Sequence, residues 1–124
     1  MADLTITGVT LTQGGNPVAN IQHSTTFSVD VATTALPEDF DEGVVYKLFV
    51  FVTSLSGGGL LLSPLAVSGN LQDAGWPTAN NLFSVAVPAG AASPDVYDVT
   101  VALLEGPTGA GGISFASAGP LFVH

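Results

Sequence analysis

His23 and His124 are the only imidazole bases of the chain, and it contains no cysteine. A serine hydrolase needs such a base beside its nucleophile, and zinc chemistry needs histidines or thiolates at ligand spacing. Neither arrangement is present. The sequence has no Gly-x-Ser-x-Gly elbow, no zinc-type histidine pair, no phosphate loop and no dinucleotide fingerprint. His23 stands just before a strand-like run, where a turn or strand-edge role accounts for it. A glycosidase needs two facing carboxylates, but the acids here fall mostly in loop-like stretches. The expectation is a protein without catalytic machinery.

Two stretches have the residue types for binding. Glu38, Asp39, Asp41 and Glu42 crowd four carboxylates into five positions, and their repulsion is relieved by water, salt or a cation. Calcium takes several hard oxygen ligands of this kind, although the spacing matches no EF-hand and a solvated acidic turn is the plainer alternative. Trp76-Pro77 offers a flat ring for stacking on a sugar, with Gln72, Asn80 and Asn81 as polar partners. The alternative is a tryptophan folded down as a lid on the core, and no second aromatic residue stands near it in the sequence.

Those residues must be positioned by a chain of 124 residues, enough for one domain over residues 1–124 with one core. Its apolar content of 47% is ordinary, but only 9% of residues are charged, against about 25% in a typical soluble domain. Thr, Ser, Ala and Gly take the place of the missing charge. They hold water less firmly than Lys or Glu, so a surface made of them is easier to cover with another protein.

Lys47 is the only cation besides the N-terminus, and the formal net charge is -9. Nucleic-acid binding needs several cations to displace counterions from phosphate, so such partners are excluded, and an anionic membrane surface is disfavoured. The longest strongly apolar stretch, residues 44–52, is interrupted by Lys47 and is about half the length of a spanning helix, so no membrane insertion is expected. Met1-Ala2-Asp3-Leu4 lacks the basic and apolar segments of a secretory signal. An extracellular surface or a virion is the favoured setting, reached without a visible signal peptide.

Apolar residues alternate with polar ones from end to end, punctuated by Gly, Pro, Asn and Asp, and no helical period appears. Leu4 and Ile6 share one parity and Val9 and Leu11 the other, which predicts a bulge or a change of sheet at Gly8. Phe27, Val29 and Val31 alternate with Ser28, Asp30 and Ala32 in a half-solvated second strand. The third strand, residues 44–55, is apolar on both parities. Residues 60–67 return as a strand that Pro64 confines to an edge. Residues 82–87, 96–104 and 113–123 complete about seven strands, which predicts an all-β, two-sheet antiparallel sandwich.

The order of these elements resembles the immunoglobulin-like fold of fibronectin type III and bacterial surface domains. Its most specific piece is Asp95-Val96-Tyr97-Asp98-Val99-Thr100-Val101, which is similar to the start of the sixth strand in that fold. The resemblance implies a tyrosine bonded to backbone at the corner between sheets. It also implies that the acidic loop and Glu105 lie at the same end of the sandwich, so Glu105 could join a calcium site. Paired cysteines and a third-strand tryptophan, found in antibody-type members, are absent. Only the fold carries over, because such folds host many roles.

The third strand carries the sharpest expectation. If Tyr46, Leu48, Val50 and Val52 point into the sandwich, Val45, Lys47, Phe49 and Phe51 point out. Their expected neighbours are Thr100 and Ala102 of the sixth strand and Ser114, Ala116 and Ala118 of the seventh, with Lys47 and Asp98 as a cross-strand pair at the rim. Two phenylalanines over a smooth, nearly uncharged sheet make a patch larger than a monomer usually exposes. The alternative is that the return strand folds over this face.

The leading expectation is therefore a non-catalytic structural subunit that assembles with itself or decorates a larger particle, such as a surface filament or a virion. Its partner is another copy or another structural protein, and it needs no cofactor. A carbohydrate-binding or calcium-dependent adhesion module is the alternative, followed by an accessory domain of a longer secreted enzyme.

Overall fold

The computed structural model describes residues 4–34, 45–70, 80–106 and 112–124. Their regular elements are all strands: β1 Thr5–Gln13, β2 Asn16–Pro17, β3 Asn20–Ile21, β4 Thr26–Thr34, β5 Val45–Ser54, β6 Gly59–Leu60, β7 Leu65–Asn70, β8 Asn80–Pro88, β9 Asp95–Glu105 and β10 Gly112–Val123. Six of the seven expected strands match longer ones, whereas the expected return strand 60–67 is split into β6 and β7 on either side of residues 61–64. β2 and β3 are two-residue additions at turns, too short to leave a periodic signal.

Two sheets result. One has the order β2-β1-β4-β8; the other has the order β3-β10-β9-β5-β6, with β7 also pairing β5. Every pairing is antiparallel except that of β3 with β10. β4 shows why the sheets stack. Phe27, Val29, Val31 and Thr33 are buried, and the residues between them are not, so one pleat face meets the core and the other meets water. From the opposite sheet come Leu48, Val50, Val52, Val99, Val101 and Leu103, all essentially inaccessible. Aromatic contacts cross the gap, with Phe27 against Tyr97 at 6.1 Å and Tyr46 against Phe83 at 5.5 Å between ring centroids.

β1 breaks register with β4 between Ile6 and Gly8, where the parity switch predicted it. Before the break the strand leans toward the other sheet, and Ile6 N donates to the Ser114 hydroxyl at 3.1 Å. Tyr97 is fully buried, and its hydroxyl accepts a 2.9 Å hydrogen bond from Gly90 N in the segment joining β8 to β9.

Two placements differ from expectation, and one alternative is not realised. Ser114, Ala116 and Ala118 face inward: Ala116 and Ala118 stand opposite the core residues Val101 and Val99 and pack against the core. The cause is a bulge between Ala118 and Leu121, where Gly119 has φ 115° and three steps of β10 match two of β9. Counting parity back from Leu121 across that bulge inverts the strand. Second, Lys47 stands opposite Leu104, and Asp98 opposite Thr53, so the two charges are not a cross-strand pair. The alternative, in which the return strand folds over the outer face, is not realised among the described residues. β6 and β7 hydrogen-bond to the edge of β5 on either side of residues 61–64.

Candidate interaction surface

The outer face of the larger sheet is built in rows, because residues opposite one another in antiparallel strands share a face. One row runs Ile113, Leu104, Lys47, Ser68; the next runs Phe115, Ala102, Phe49, Ala66; a third runs Ser117, Thr100, Phe51; Asp98 and Thr53 follow. Phe115 is 67% exposed and Ile113 46%, while Phe49, Phe51 and Lys47 are half-buried. Ala102 belongs to this outer face yet is only 4% exposed. A methyl group on a bare sheet would be wet, so the rings on either side of Ala102 are what cover it.

Phe49 and Phe51 lie 6.1 Å apart between centroids, tilted by 31°, and the Lys47 ammonium sits 5.5 Å from the Phe49 centroid. That distance is within the range of a cation–π attraction, which holds the long side chain down along the sheet. Among the described residues no carboxylate pairs with Lys47. Val45 is exposed at the end of β5, and Asp98 is exposed at the far end of the face. The face therefore runs from a cation, across apolar rows, to an anion.

Of the expected interface residues, Val45, Lys47, Phe49, Phe51, Asp98, Thr100 and Ala102 share this face, and Ala116 does not. Phe115, Ile113 and Leu104 belong to it and were not anticipated. The signal that could have found them is Gly119-Pro120, a pair that marks a bulge and hence a parity change in a long strand.

The opposite sheet presents a different surface. Asp30 stands between Thr10 and Ser84 in the register, and its carboxylate accepts from Thr12 Oγ1 at 3.1 Å and Ser84 Oγ at 2.7 Å. A hydrogen-bonded anion among hydroxyls is a wetted face.

Below the apolar rows a shallow groove of about 450 Å³ is lined by Leu55, Pro94, Val96, Phe122 and Val123. Asp95 borders it, buried and already engaged. Burial alone would raise its pKa, but hydrogen bonds from Ser54 Oγ at 2.6 Å, Ser56 N at 2.9 Å and Val96 N at 2.7 Å outweigh that and hold it at about 2. The carboxylate fastens the turn after β5 to the start of β9.

His23 Nδ1 lies 3.2 Å from the hydroxyl of its neighbour Ser24, which has φ 60° in an exposed turn. No carboxylate orients that imidazole among the described residues. Glu105, expected to join the acidic loop, is buried at the end of β9 opposite Tyr46. Glu38, Asp39, Asp41, Glu42, Gln72 and Trp76 lie outside the described residues, as do the side chains of Asn80 and Asn81. No helix among the described residues is long and apolar enough to cross a membrane.

No family model and no curated protein matches the chain. Among solved structures, its fold is similar to part of the crystal structure of Bacteroides uniformis β-glucuronidase, with a TM-score of 0.59 and 13% identity. The match covers 93% of this chain and 14% of that one, so the chain spans a small fraction of that protein's length. At this identity the likeness is one of fold alone.

Proposed function

We propose that the chain is a non-catalytic structural subunit that assembles with itself or decorates a larger particle, such as a surface filament or a virion, through the outer face of its larger sheet. The observation that carries this is the row Phe115, Ala102, Phe49, with Phe115 67% exposed, on a face whose rows carry just Lys47 and Asp98 as charges. Exposed aromatic area of this kind costs hydration free energy that a partner surface recovers. The face around Asp30 is lined mostly by hydroxyls, with Leu82 as its one large exposed apolar side chain among the described residues, and offers less of this incentive. An immunoglobulin-like assignment within the β-sandwich class is supported by the strand order and by the Tyr97 to Gly90 bond.

Sedimentation velocity over a wide concentration range, with electron microscopy of the concentrated sample, tests the proposal. Concentration-dependent association that Phe49→Asp abolishes is the expected result. A wild-type chain that stays monomeric throughout, unchanged by Phe49→Asp, would overturn it.

A further inference from the structure

We infer that the occupant of the apolar face is a second copy of this chain, docked face to face about a two-fold axis that crosses β5 between Phe49 and Phe51, perpendicular to the strands. The inference rests on the self-assembly reading above and adds its geometry. Lys47 pairs Leu104 and Asp98 pairs Thr53, so the face's cation and anion stand six residue steps apart on neighbouring strands, about 20 Å. A two-fold axis lying in the interface and perpendicular to the strands reverses strand direction between copies. Each Lys47 then meets the partner's Asp98, giving two equivalent ion pairs at the rim. An axis parallel to the strands would instead set Lys47 on Lys47 and Asp98 on Asp98.

Net charge makes this choice decisive. Two chains of charge -9 repel, and the chain has a single Lys or Arg to offset it. The perpendicular axis is the arrangement that gives that cation an anion from the other copy. It also brings Phe49 of one copy over Phe51 of its partner, and the reverse, so four rings gather at the axis. Thr100 of one copy lies over the Ala102 position of its partner, where the flanking rings rather than the buried methyl make the contact. The contact is isologous, and its flat footprint of about 20 Å by 20 Å is small beside a standard interface of about 800 Å² per partner. Weak, concentration-dependent association is the expected behaviour of so small a contact.

Charge reversal tests the geometry. Lys47→Glu makes the chain two charges more negative, and Asp98→Lys makes it two charges less negative. If net charge alone governed association, Asp98→Lys would strengthen it. The two-fold arrangement expects each single variant to weaken the dimer by about tenfold or more, and the double variant to regain wild-type affinity. Circular dichroism verifies that all three variants are folded, since both positions lie on the outer face. A double variant no better than its parents, with Phe49→Asp still disruptive, would overturn the two-fold geometry and leave self-assembly standing. A wild-type chain monomeric at every concentration would overturn both.

Discussion

Ser54 donates a 2.6 Å hydrogen bond to the buried carboxylate of Asp95, joining the end of β5 to the start of β9. The folded state holds that carboxyl at about 2, below its ordinary value of about 3.9. The folded chain therefore binds fewer protons than the unfolded chain in this range. The stabilisation is complete above about pH 4 and is lost as pH falls toward 2. Thermal melts against pH should show that decline in the wild type and a flatter profile in Asp95→Asn. At neutral pH, Asp95→Ala should cost about 1–3 kcal/mol, because Ser56 N and Ser54 Oγ lose their acceptor.

Tyr97→Phe removes one oxygen from the middle of the molecule. Gly90 N, a part-buried donor, then loses its 2.9 Å acceptor. A loss of about 1–3 kcal/mol in urea unfolding is expected, with the dependence on urea unchanged. No loss would mean that water replaces the hydroxyl.

The parity of β10 can be tested with two neighbours. Ala116→Asp drives a charge against the core and should cost about 3 kcal/mol or more, while Phe115→Asp faces outward and should cost less than about 1 kcal/mol. Reversed magnitudes would invert the strand.

Gly119 allows the bulge that sets this parity. Its φ is 115°, and an added Cβ would lie 3.1 Å from the Tyr97 carbonyl oxygen. Gly119→Ala should therefore destabilise by about 1–3 kcal/mol. Gly8→Ala meets nothing within 4 Å and should be neutral or slightly stabilising, by about 0.4–1 kcal/mol. Equal melting temperatures for the two variants would argue against the bulge.

Much of the fold was legible because strand alternation is local. Phe27, Val29 and Val31 report their face directly, and so do Leu48, Val50 and Val52. Gly8 announced its register break because apolar parity changes across it. The seventh strand misled for the converse reason: Ile113, Phe115, Leu121 and Val123 share one parity and are all large and apolar, so a single inward face was the simplest inference. The sequence does not distinguish an apolar residue in a core from one on a surface meant to be covered. Lys47 and Asp98 went astray through register, which depends on the pairing of β5 with β9 and not on either strand alone. Asp95 gave no warning of its burial, because its partners Ser54 and Ser56 lie about forty residues earlier.

The contrast between the two sheets also limits how such an object can grow. In the proposed pair the Phe49 and Phe51 rows are spent on each other, and what faces solvent is the hydroxyl-rich sheet of the Asp30 kind, interrupted by Leu82, together with the groove that Leu55 and Phe122 line. One route to anything longer is sideways extension. β8 is the last strand of its sheet among the described residues, and an edge strand is a template for pairing with another chain. Stoichiometry and shape would then answer to different parts of the molecule, one to ring packing and the other to strand edges.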